Sequence, residues 1–155
     1  MLLDKCILQY DPKPIKGTSA AMFKPWWLIG FLQEGNELRE YYNWFLEKRT
    51  GIKLMKPAWG AHISIVRGEE PINMELWKKY ESQELEFSYG EFIKTNGGHW
   101  WLRIACEQMN DIREELGISR KHEVGLHLTI GVPVPAQQET SEYYTRFLQK
   151  EDVKF

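Results

Sequence analysis

The sequence predicts a single α+β domain over residues 1–155, folded as two related lobes. Three observations carry that reading. Segments with helical periodicity and segments with strand periodicity interleave along the whole chain. A four-residue pattern occurs twice, nearly half a chain length apart, each time after a helix-containing segment. The chain of 155 residues, 43% hydrophobic and 27% charged, suits one compact domain rather than two large ones and argues against extended disorder.

Residues 6–10 read as a short strand. Pro12 and Pro14 exclude helix from the loop that follows, and Gly17 allows a turn there. The bulky apolar run 21–32 reads as a strand carrying Trp26 and Trp27. Asn36 caps a helix to about residue 50, with Leu38, Tyr41, Tyr42, Phe45 and Leu46 at helical spacing and Gly51 at the stop. A strand at 61–67 comes next, then a short helix opened by Asn73. Leu85, Phe87 and Tyr89 alternate with polar residues, which is strand periodicity. Residues 92–95 and 99–106 flank Asn96-Gly97-Gly98, a hairpin turn. A helix at 107–116, a strand at 126–130 and a last helix at 138–150 complete the order.

Composition excludes several classes. The net charge of −2 disfavours a protein that grips long nucleic acid through many phosphates. Two cysteines, Cys6 and Cys106, are too few for a disulfide scaffold, and no Cys/His cluster suggests zinc. No apolar run is long enough to span a bilayer, and the N-terminus lacks a signal-peptide pattern; the expectation is a cytoplasmic protein without membrane attachment. Seven Trp, seven Tyr and seven Phe give an aromatic share of 14%, enough to line a surface for flat ligands.

The repeated pattern is His62-Ile63-Ser64-Ile65 and His127-Leu128-Thr129-Ile130. In a strand, residues i and i+2 share a face. His62 and Ser64 therefore point one way and Ile63 and Ile65 the other, and the second copy behaves alike. The apolar faces can pack into a core while both His/hydroxyl pairs line a groove. Two histidines across a phosphodiester can act as base for the attacking oxygen and acid for the leaving oxygen. The hydroxyls can donate to the non-bridging phosphate oxygens, and no metal or other cofactor is needed. His99 follows the glycine turn and His122 sits in a charged loop; neither has a hydroxyl two residues on.

These two motifs resemble the paired His-x-Thr/Ser motifs of the 2H phosphoesterase superfamily. The segments Gly60-Ala61-His62-Ile63-Ser64-Ile65-Val66-Arg67-Gly68-Glu69 and Leu126-His127-Leu128-Thr129-Ile130-Gly131 are most similar to the phage anti-CBASS phosphodiesterases. The resemblance implies two lobes whose antiparallel sheets flank a central cleft, with helices outside. It implies a metal-independent enzyme that cleaves 3′-5′ bonds of small cyclic di- or trinucleotide signals, acting in the host bacterial cytoplasm. His62, Ser64, His127 and Thr129 are then the catalytic residues. Rival readings are a phosphodiesterase or ligase acting on RNA ends or 2′,3′-cyclic phosphates, and a protein that sequesters nucleotides uncleaved.

Aromatic rings stack bases without a basic surface. Tyr10, Trp26, Trp59, Trp77 and Trp100 are the stacking candidates, with Trp59 preferred for its place just before the first motif and Tyr10 for its place at a strand end. Lys56, Arg67 and Arg103 are the cations available to phosphates; Arg67, closest to the first motif, joins Tyr10 and Trp59 as the expected substrate-binding set.

Overall fold

The structure, a computed structural model, describes residues 2–13, 25–33, 36–56, 60–96 and 98–134. The element order is β1 (Leu2–Tyr10), β2 (Trp27–Phe31), α1 (Glu37–Thr50), β3 (Leu54–Met55), β4 (His62–Arg67), β5 (Glu84–Thr95), β6 (Trp100–Ala105), α2 (Glu107–Glu115) and β7 (His127–Pro133). A single 3₁₀ turn, Met74–Leu76, stands where a short helix is expected after Asn73. The expected helix at 138–150 lies outside the described residues.

Antiparallel pairing runs β7–β4–β2–β1–β5–β6, and β6 pairs with β7 again, so six strands close into a barrel. The two-residue β3 adds to the far end of β7. This closure corrects the two-lobed layout with sheets flanking a cleft and helices outside. The two motif strands are not in separate lobes: β4 and β7 are hydrogen-bonded neighbours around Ile63 and Leu128. Their apolar residues Ile63, Ile65, Leu128 and Ile130 are all at 0% exposure and enter one common core. Joining the two halves at both seams satisfies strand edges that separate lobes would leave open.

Both described α-helices feed that same core. Leu38, Tyr42 and Leu46 of α1 lie at the spacing that puts one helix face inward, and all three are buried. Asn36 caps the helix by accepting from the Leu38 N–H at 2.9 Å, and Gly51 ends it in the left-handed region. From α2, Met109 and Ile112 are buried, and Met109 reaches over Gly30 of β2.

The sheet carries two bulges that matter for the site. Ile29 pairs with Ser64, yet Leu28 pairs with Val66, so Ile65 is the extra residue of β4. Likewise Trp101 pairs with Thr129 while Trp100 pairs with Gly131, leaving Ile130 extra in β7. Each bulge falls immediately after the motif hydroxyl. A bulge leaves backbone groups without ladder partners. At the first one, Arg113 of α2 supplies the partner: its Nη1 donates to the Ile65 carbonyl at 2.8 Å. The same guanidinium grips Glu69 with two 2.8 Å bonds and donates from Nε to the Ser119 carbonyl. Arg113 is 1% exposed, and its bonds to Glu69 hold that carboxyl below the usual carboxylate range.

Candidate active site

The β4–β7 register decides which side chains meet. With Ile63 opposite Leu128, the antiparallel ladder sets His62 across from Thr129 and Ser64 across from His127. All four are half-buried on the face opposite the core. The structure therefore brings together the four residues expected to be catalytic, each histidine facing the other motif's hydroxyl.

The two imidazoles are held in the same way. His62 Nδ1 bonds to the Gly60 carbonyl at 2.8 Å, and His127 Nδ1 bonds to the Gly125 carbonyl at 3.0 Å. A carbonyl oxygen only accepts, so each Nδ1 carries the proton. In the neutral ring Nε2 then holds a free lone pair, the atom that can take a proton from a substrate. Both glycines have positive φ, 70° for Gly60 and 79° for Gly125, a backbone shape that aims the carbonyl at the ring two residues on.

A tryptophan abuts each histidine edge-on. Trp27 meets His62 with ring centroids 5.6 Å apart, and Trp101 meets His127 at 5.8 Å. Trp27 also donates its indole N–H to Ser64 Oγ at 3.1 Å. With Ile29 and Phe31 it forms a small apolar cluster of its own on the site face. Burial beside that cluster pushes the His62 imidazole below its ordinary value. The bond to the Gly60 carbonyl opposes the shift, and the charges of Arg67 and His127 add to it. Burial thus favours the neutral form of His62, the form able to accept a proton.

Arg67 is brought to the site by the first bulge. Strict alternation from His62 and Ser64 would send residue 67 to the opposite face. The extra residue at Ile65 reverses the parity, pairs Arg67 with Trp27, and sets its guanidinium over the Trp27 ring at 4.8 Å. Arg103 pairs directly with His127 and is exposed, so it adds a second cation to this face. Tyr10 is not part of it. Its alternation with Cys6 and Leu8 turns it into the core at 6% exposure, where its hydroxyl accepts from the Tyr80 N–H and its ring meets Trp77 edge-on. Trp100 is likewise fully buried, and Trp77 is tied to Asp11 through its indole N–H. Trp59 lies outside the described residues.

His122, in the charged loop, is half-buried; its Nδ1 accepts from the Val124 N–H, and burial pushes its imidazole below the ordinary value. Among the described residues, no group of three or more His, Cys, Asp or Glu is placed to hold a metal ion. No described helix is long and apolar enough to cross a membrane.

Four residues of this arrangement escape a reading of the His-x-Ser/Thr motifs alone: Gly60, Gly125, Trp27 and Trp101. The signal was present. Each motif is Gly-x-His-x-Ser/Thr, and Trp-Trp-Leu occurs twice, at 26–28 and at 100–102, on the strands that flank the motif strands. Comparison with protein-family models, with curated proteins and with solved structures finds no match for this chain.

Proposed function

We propose that this protein is a metal-independent phosphodiesterase that opens 3′-5′ bonds of small cyclic oligonucleotides. The observation that carries the reading is the cross-strand quartet, with both imidazoles fixed through Nδ1, which leaves Nε2 as the ring nitrogen for proton transfer in each. A lone histidine needs no such matched holder; a pair held alike beside two hydroxyls is the equipment for moving one proton on and one proton off.

In the proposed step a ribose 2′-hydroxyl attacks the adjacent phosphorus. His62, kept neutral by burial, takes the hydroxyl proton at Nε2. His127, as the acid partner, gives its Nε2 proton to the departing 5′ oxygen. The P–O5′ bond breaks as the P–O2′ bond forms, leaving a 2′,3′-cyclic phosphate and a 5′-hydroxyl. Water can then open that cyclic phosphate with the two histidines exchanging roles. Ser64 and Thr129 donate to the non-bridging oxygens, and Arg67 and Arg103 offset the phosphate charge. The cyclic substrate and an origin in phage defence against bacterial immune signalling follow from the resemblance of the two motifs.

The test is product analysis by mass after incubation with a panel of cyclic di- and trinucleotides, a linear RNA and a nucleoside 2′,3′-cyclic phosphate, with EDTA present. Linear products from the cycles, absent with His62→Ala, support the reading. Cleavage of linear RNA alone moves the protein to the RNA-processing class. Cycles bound and recovered intact make it a sequestering protein.

A further inference from the structure

Trp27 touches three members of the site at once. Its N–H donates to Ser64 Oγ, its ring abuts His62, and the Arg67 guanidinium lies over it. At 1% exposure it is closed to any substrate, so whatever it contributes must pass through those neighbours. An indole nitrogen only donates. Ser64 Oγ therefore accepts from Trp27 and keeps its own proton to give. This restraint matters more for Ser64 than for Thr129. Threonine is β-branched and stiff at χ1 without help, whereas a serine hydroxyl turns readily toward nearby backbone acceptors.

We propose that Trp27 is a positioning residue that holds the Ser64 hydroxyl with its proton directed at a non-bridging oxygen of the bound phosphodiester. The bulge at Ile65 serves the same end, because it pairs Trp27 with Arg67 and so sets the cation over the ring whose N–H holds the hydroxyl. This inference rests on the phosphodiesterase reading. It goes beyond it by assigning a task to a residue that never meets the substrate.

A double-mutant cycle tests it, using a cyclic trinucleotide cleaved by the wild-type protein. Position 27 takes either Phe or benzothienylalanine, which keeps the shape of the indole and lacks the N–H. Ser64→Ala is expected to lower kcat on the order of 10²-fold, as loss of one transition-state donor does. The isostere at position 27 is expected to lower kcat about tenfold with KM nearly unchanged, and to add nothing in the Ser64→Ala background. The Trp27 indole ¹⁵N–H resonance should move in Ser64→Ala. Wild-type kcat in the isostere, or losses that multiply in the double variant, would overturn the assignment of Trp27 and leave the phosphodiesterase reading standing. Failure of the wild-type protein to cleave any substrate of the panel would overturn both. If Trp27→Phe unfolds, the volume-preserving isostere still decides.

Discussion

Gly125→Ala separates the orienting role of a carbonyl from ordinary backbone strain, because the fold contains its own control. Gly125 has φ 79° and Gly51 has φ 74°, and a Cβ added at either meets nothing within 4 Å. Alanine at either position therefore meets no clash, and it relaxes out of the left-handed region, whose cost is about 1–2 kcal/mol, by giving up the hydrogen bond that its backbone makes. Urea unfolding should show matched losses of stability. The two differ in what their backbone does next. The Gly51 N–H closes α1 on the Glu47 carbonyl, while the Gly125 carbonyl holds His127 Nδ1. An alanine that relaxes toward negative φ turns that carbonyl away and gives up a hydrogen bond worth about 0.5–1.5 kcal/mol. His127 then loses its fixed tautomer and ring orientation. Taken at the upper end of that range, the barrier rises by enough for about a tenfold fall in kcat. The expected pattern is equal destabilisation in both variants and lost turnover only in Gly125→Ala, with partial recovery in Gly125→Asn because asparagine tolerates the left-handed region. Full turnover in Gly125→Ala, or an equal loss in Gly51→Ala, would refute the claim that this carbonyl prepares the imidazole.

His62→Ala and His127→Ala should each lower kcat by about 10²–10⁴ with an unchanged circular dichroism spectrum, and Thr129→Ala should cost less than either. The pH profile of kcat/KM should be bell-shaped. Its acid limb reports loss of the neutral base, and since burial lowers His62 from the usual 6.5, that limb should fall below pH 6.5; a limb above it would contradict the assignment of His62 as base. Arg113→Met should cost about 1–3 kcal/mol in urea unfolding, because it leaves the Ile65 carbonyl without its donor, while Glu69, 37% exposed, stays hydrated. A cycle with 2′-deoxyribose at the scissile position should bind and resist cleavage; brisk cleavage would make water the direct nucleophile.

Much of the fold is legible because its signals are local. The spacing of Leu38, Tyr42 and Leu46 between Asn36 and Gly51 fixes α1, and the glycine turn between Thr95 and Trp100 fixes the β5–β6 hairpin. The barrel is not local. Its closure is a set of backbone bonds from β7 to β4 and to β6, and the side-chain pattern of β7 reads the same whether its neighbours belong to one sheet or two. Tyr10 follows the same local rule: Cys6, Leu8 and Tyr10 alternate as a core face, and being last in a strand does not change which way a residue points.

At the site, the quartet follows from parity and the cations do not. The alternation in His62-Ile63-Ser64 places histidine and hydroxyl together with no knowledge of the partner strand. The same alternation carried on to Arg67 gives the wrong face, because a bulge adds a residue without leaving a mark in the sequence. Both bulges fall one residue after the hydroxyl, both histidines follow a left-handed glycine by two, and both rest against a tryptophan from the neighbouring strand. What repeats in this chain is therefore a half-site rather than a lobe: glycine, histidine, hydroxyl, bulge and abutting indole. Two such half-sites joined by the β4–β7 pairing place two imidazoles on one shared seam, which is what the proposed proton transfers need. That requirement is met by one closed sheet as well as by two lobes, which is why a motif that resembles a two-lobed family can sit here on a barrel.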